Sequence, residues 1–152
     1  MYIKISKEVE QQYRKEVEQI LNNKDFQKLR YYKQHNWSDR LMHSINVSYL
    51  SWLMARRLGC DAKAAARAGL LHDFCLYDFH EKPADGEHQA FLHPKVAAEN
   101  SMSHMFPLGP LPKSREAWLI TIADKICAAA ELCSIAIALA RRGKVSFVQA
   151  PA

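Results

Sequence analysis

Four side chains in this chain of 152 residues place metal-binding chemistry in apolar surroundings. His43 comes four, seven and eleven residues before Val47, Leu50 and Met54, and a helix puts all four on one stripe. His72 and Asp73 follow Leu70 and Leu71 at the end of an alanine-rich stretch. Asp124 sits between Ile120 to Ala123 on one side and Ile126 to Ala128 on the other. A carboxylate buried without a strong partner is expensive. Imidazole nitrogen and carboxylate oxygen are ordinary ligands of first-row divalent metals, so a shared cation would supply that partner. Neighbouring His and Asp at a helix end leave the chain in different directions and can serve two ions.

Taken singly, each residue is ordinary. A lone histidine on an apolar stripe is more often a satisfied core side chain than a ligand, and a His-Asp pair arises by chance. The ordered set is more specific: one His, then His-Asp, then Asp, each on its own apolar helix.

The elements that must position this set have helical spacing almost throughout. Lys7 to Asn22 carries Val9, Tyr13, Val17, Ile20 and Leu21 with charges between them. Asp25 to Lys33 suits a short helix, and Gln34 to Ser38 a connector. Ser38 or Asp39 can cap a helix that runs to about Leu58 and stops before Gly59. Asp61 can cap the alanine-rich helix that ends near Asp73. Phe74 to Leu92 reads as a loop, Pro94 suits the first turn of another helix, and Ser114 or Arg115 starts a long Ala/Ile/Leu helix that ends at Arg141 to Gly143. The expectation is an all-α bundle in one domain over residues 1–152, with its core at about 34–142 and a peripheral tail at 143–152.

The segments DRLMHSINVSYLSWLMARRLG, AAARAGLLHDF and ITIADKICAA resemble the HD-domain superfamily of metal-dependent phosphohydrolases and its H…HD…D pattern. The resemblance covers roughly Gln34 to Leu132. It implies an HD-domain-like helical bundle and one or two divalent ions (Mn, Fe, Co, Ni or Zn) held by His43, His72, Asp73 and Asp124. Asp73 takes the position that bridges two metals or orients the attacking water. FLHPKVAAEN and SHMFPL offer His93 and His104 as further ligands for a second ion. Such an ion would acidify water to a pKa of about 7 in the best cases. The implied reaction is hydrolysis of a phosphorylated small molecule, with nucleotides among the candidates. Arg40, one turn before His43, together with Lys125, Lys95 and His88, would bind the phosphate, and His80 is a lesser candidate of the same kind.

Two departures stand out. Many relatives read HD-x-G-K, whereas this chain reads HDFCLYD, with Cys75 and Leu76 in place of Gly and Lys. The interval from His93 to His104 is also short. Both keep a second reading open, an HD-type scaffold that binds metal or nucleotide without turnover. A third reading comes from Lys24 to Arg40, where Lys24, Lys28, Arg30, Lys33 and Arg40 alternate with Phe26, Tyr31, Tyr32 and Trp37. Cations beside stacking aromatics suit single-stranded nucleic acid. The plainer explanation is an amphipathic packing segment, so nucleic acid ranks behind a small phosphorylated partner.

Composition agrees with a globular protein: 49% apolar, 24% charged and a formal charge of +5. Disorder and collagen-like repetition are excluded, and the mild positive charge favours anionic partners without selecting one. Cys60, Cys75, Cys127 and Cys133 form no C-x-x-C pair and read as small core residues of a reducing compartment. The charged N-terminus lacks the apolar run of a signal peptide, so the cytoplasm is expected. Ala117 to Ala140 is apolar but contains Asp124, Lys125 and Glu131. Asp and Lys each cost about 2.5–3.5 kcal/mol at the centre of a membrane helix, which makes this a buried helix of a bundle rather than a span.

Overall fold

The arrangement is organised by the helix that carries His43. In the computed structural model, the described residues are 7–35, 38–74 and 111–141, and side chains at 34–35 and 134–141 stand outside that description. Helix α1 (Lys7–Leu21) buries Tyr13 and Val17. Helix α2 (Lys24–Gln27) begins at Asn23, whose side-chain oxygen accepts from the backbone N–H groups of Asp25 and Phe26. A 3₁₀ turn, Lys28–Tyr31, follows directly. The single short helix expected over Asp25 to Lys33 is therefore two pieces. Phe26 and Leu29, three residues apart, are both buried, and three residues per turn is the period a 3₁₀ turn keeps on one side.

The expected connector from Gln34 to Ser38 contributes strand residues at both of its ends. Strands β1 (Lys33–His35) and β2 (Ser38–Asp39) pair antiparallel, with Lys33 opposite Asp39 and His35 opposite Ser38. The Arg40 N–H donates to the Tyr32 carbonyl at 2.8 Å and extends that pairing to the start of the next helix. This small ladder apart, the described residues form a helical bundle.

Helix α3 (Arg40–Leu58) starts at Asp39, whose carboxylate accepts from the Met42 N–H at 2.7 Å. It ends at Gly59, in the left-handed region at φ +64°, where only glycine avoids the Cβ penalty. Helix α4 (Ala62–Leu71) is capped by Asp61. Helix α5 (Arg115–Arg141) opens with the Ser114 hydroxyl accepting from the Ala117 N–H. Each of these three starts and both described stops sit within two residues of the sequence-derived positions.

One side of α3 meets α1 and α4 in a core of Tyr13, Val17, Phe26, Leu29, Trp52, Ala66 and Leu70. The other side meets α5. There Val47 packs on Ile120 and Ala123, with Leu50, Met54, Ala68 and Cys127 beside them. The stripe that includes His43 therefore faces α5. Among the described residues no helix is long and apolar enough to cross a membrane. Cys60 and Cys127 pack beside the core as small side chains, whereas Cys133 is exposed. Its exposure corrects the core assignment: Cys133 shares α5 with the partly exposed Trp118, Ile122 and Ile126. Cys75 lies outside the described residues.

The approach of α4 to α3 is unusually close. A Cβ added at Gly69 would stand 2.7 Å from the Ser48 Cα and 3.2 Å from its nitrogen. Ser48 itself donates to the Ala66 carbonyl at 2.6 Å and accepts from the Tyr13 hydroxyl at 2.8 Å, which ties three helices at one point. Gly69→Ala must push the two backbones apart, an overpacking strain of about 1–3 kcal/mol. We expect a melting temperature several degrees lower than wild type in thermal denaturation. An unchanged melting temperature would contradict the contact.

Candidate metal centre

Three helices bring four titratable side chains to one place. His43 projects from the first turns of α3, His72 and Asp73 from the end of α4, and Asp124 from the middle of α5. Both histidines are fully buried, and Asp73 and Asp124 are 3% and 8% exposed. His43 Nε2 lies 3.1 Å from Asp124 Oδ1 and 4.0 Å from Asp73 Oδ2. His72 Nε2 lies 3.4 Å from Asp73 Oδ2 and 3.7 Å from Asp124 Oδ1. One ligand atom each from His43, His72 and Asp73 falls within 4.8 Å of the others.

The other nitrogen of each ring is anchored away from this centre. His72 Nδ1 donates to the Gly69 carbonyl at 2.7 Å, because a carbonyl can only accept. His43 Nδ1 meets Glu131 Oε1 at 3.0 Å. Glu131 Oε2 in turn accepts from the Ser38 hydroxyl at 2.9 Å. Both imidazoles thus present Nε2 to the same small volume.

The donor set fits a first-row divalent ion. Imidazole nitrogen and carboxylate oxygen bind such ions at about 2.0–2.2 Å, which leaves the ligand atoms about 3–4 Å from one another. The four separations above span that window. Around the set, Lys125 Nζ donates to Asp124 Oδ2 at 2.7 Å with its side chain half exposed. Arg40 is fully buried with its guanidinium 5.2 Å from the centre of the Tyr32 ring. His80, His88, His93, Lys95 and His104 lie outside the described residues, as do Cys75 and Leu76 of the HDFCLYD segment.

Glu131 was missed as a site residue in the sequence. There it weighs only as a charge against membrane insertion, yet it follows Asp124 by seven residues, two helical turns on the same face. That spacing is the signal that could have found it. Cys127, between the two acids, offers no thiolate at neutral pH. Burial, then the charges of Glu131 and Asp124, push its thiol up to about 12.

Charge at this cluster is held by hydrogen bonding. Burial pushes the His43 imidazole down, but bonds to Asp124 and Glu131 more than offset this and hold it at about 9. Burial pushes the Asp124 carboxyl up, and the bonds from His43 and His72 reverse that, leaving it well below the usual carboxylate range. A histidine raised above its ordinary 6.5 on folding stabilises the fold fully below that value and loses the contribution as pH climbs through about 9. We expect metal-free protein to become less stable between pH 6.5 and about 9 in denaturant titrations. A divalent ion requires neutral imidazole and displaces that proton, so the gain in stability on adding metal should grow over the same interval. A gain that is flat or falls with pH would refute this assignment of the proton.

Residues 40–129 match the family model described as HD domain. Over 103 residues the chain is 37% identical to ribonuclease Y of Thermoanaerobacter pseudethanolicus, an alignment that covers 59% of this chain and 18% of that protein. Ribonuclease Y of Desulforamulus reducens is 40% identical over 95 residues, with 59% and 18% covered. A shorter stretch of 33 residues is 67% identical to ribonuclease Y of Clostridium perfringens, covering 22% of this chain and 6% of that one. The chain thus spans about a fifth or less of the length of these curated relatives. No solved structure matches it. The match over residues 40–129 takes in every residue of the H…HD…D set, and the chain belongs to the HD-domain family of metal-dependent phosphohydrolases.

Proposed function

We propose that this chain is a divalent-metal-dependent phosphohydrolase that acts on a phosphorylated small molecule of the nucleotide class. The observation that carries the reading is the convergence of His43, His72, Asp73 and Asp124 with both Nε2 atoms turned inward. These four would hold the ion. When bound, the ion supplies Lewis acidity, polarising the phosphoryl group and making water acidic near neutral pH.

The chain's own residues do the rest. Asp73, on the last bend of α4 beside both imidazoles, is the carboxylate that orients a water and takes its proton. Lys125 adds, through Oδ2, to the bonds from His43 and His72 that keep Asp124 ionised and, being half exposed, can also meet a non-bridging phosphate oxygen. Arg40, buried one turn before His43, adds positive potential from within the bundle. His93 and His104 would serve a second ion, and His88 and Lys95 the phosphate, as the sequence pattern implies.

A second substrate class has specific support. The similar curated proteins are ribonucleases by name, so ranking nucleic acid behind small molecules finds no support from them. The basic and aromatic stretch before α3 divides its roles. Phe26 is buried in the core, Lys28 pairs with Asp25 and Arg30 with Gln27, while Tyr31 is 80% exposed. An exposed ring beside Arg30 and Lys33 is a feature on which an unpaired base could stack.

Metal content and product release, measured on wild type beside Asp73→Ala and Asp124→Ala, test the reading. The panel holds nucleoside monophosphates, cyclic and polyphosphorylated nucleotides, and an end-labelled RNA oligonucleotide. We expect wild type to bind divalent metal and release phosphate from a nucleotide, with both variants losing metal and at least about 100-fold in rate. Cleavage of the oligonucleotide with no activity on free nucleotides would move the substrate to RNA. Metal without turnover would leave the scaffold reading, and equal metal in all three proteins would end the ligand assignment.

A further inference from the structure

The Glu131 carboxylate has no role in the reaction outlined above, yet it is one of the better-held groups near the centre. Its two oxygens are divided between two elements. Oε1 meets His43 Nδ1 at 3.0 Å and Oε2 accepts from Ser38 Oγ at 2.9 Å. Its side chain is only 17% exposed, and it stands two turns along α5 from Asp124, so one rigid helix carries both carboxylates that grip His43. Ser38 belongs to β2, immediately before the Asp39 cap of α3. The five-residue ladder that sequence periodicity does not reveal thus reaches the centre through the Ser38 hydroxyl.

An imidazole can ligate through either nitrogen, and the hydrogen bond made by one decides which is left for the metal. A carboxylate accepts only, so it selects the tautomer with hydrogen on Nδ1 and the lone pair on Nε2. His72 reaches the same tautomer through a backbone carbonyl. The carboxylate does more than a carbonyl, because its charge raises the basicity of the ligating nitrogen.

We propose that Glu131, steadied by Ser38, is the positioning residue of the metal centre: it fixes His43 with Nε2 toward Asp73 and Asp124 and strengthens that nitrogen as a ligand. The inference rests on the metal-binding reading of the four-residue set. Partners of this kind contribute about 10- to 100-fold to metal affinity.

The test is the Kd for Zn²⁺, measured by competition with a chromophoric chelator on the full chain, for wild type and for Glu131→Ala, Glu131→Gln, Ser38→Ala and Asp73→Ala. Thermal melting of the metal-free proteins runs beside it. For Glu131→Ala we expect Zn²⁺ to bind about 10- to 100-fold more weakly. Glu131→Gln keeps an acceptor for Nδ1–H without the charge and should recover part of that loss. Ser38→Ala should fall between wild type and Glu131→Ala. In ¹⁵N-histidine spectra of the Zn²⁺-loaded wild type, His43 should carry hydrogen on Nδ1.

A purely structural role would lower the melting temperature of the metal-free Glu131 variants and leave their Kd at the wild-type value, which overturns the proposal. So does metal bound through Nδ1 in the spectra. Should Glu131→Ala not fold, Ser38→Ala and Glu131→Gln decide: Kd values within twofold of wild type overturn it. If wild type itself takes up no Zn²⁺, the metal centre falls and the positioning role with it. If Asp73→Ala loses Zn²⁺ while the Glu131 and Ser38 variants do not, the centre stands and only the positioning role falls.

Discussion

Burying four ionisable side chains at one point is the constraint that shapes this bundle. Each charge removed from water carries a penalty of several kcal/mol unless it is met by an opposite charge and by hydrogen bonds. No single helix can meet that demand, because its side chains radiate away from the axis and cannot converge on one point. The partners must come from three helices, and they must arrive within about 3–4 Å of one another. The close contact of α4 with α3 is how the chain satisfies this. Gly69 lies against the Ser48 backbone, and four residues later the same helix end delivers Asp73. The Gly69 carbonyl also anchors His72. One residue without a side chain therefore sets both the approach of the helices and the orientation of the His72 ring.

The helix starts extend the same logic. Asp39 caps α3 one turn before His43, and Ser38 beside it touches Glu131 across the bundle. The cap fixes where α3 begins, and so which turn carries His43. On α5 the small residues Ala117 and Ala123 and the buried Ile120 face the neighbouring helices. Asp124, at the edge of that face, can thereby reach His43, while Lys125 on its other side stays in contact with water.

Much of this was legible in the sequence, and the limits of legibility have physical causes. Caps and stops are local chemistry. Asp39, Asp61, Ser114 and Gly59 act on the backbone next to them, and all four are where the pattern puts them. The H…HD…D residues were legible because polar groups in apolar stripes are costly and need a common explanation. The β1–β2 ladder was not, because strands of three and two residues are too short to show a period of two, and their order comes from pairing with each other. Glu131 escaped for a related reason. Its meaning lies across the bundle at His43, a separation of 88 residues, while its immediate neighbours on α5 suggest only a charge in an apolar helix.

The proton on His43 and the ion of the proposed metal centre are alternative answers to one electrostatic problem. Without an ion, the proton on His43 is the positive charge that Asp124, Glu131 and Asp73 surround, which is why the imidazole is held at about 9 despite its burial. On the proposed metal-binding reading a cation would take over that charge, and the hydrogen on Nδ1 toward Glu131 would stay. The carboxylate oxygens that face the imidazolium are the ones the proposed ion would use. A site assembled only for an ion would leave facing carboxylates uncompensated whenever the ion departed. Here the His43 imidazolium stands between the carboxylates of Asp124 and Glu131, so those acids are met by an opposite charge without one.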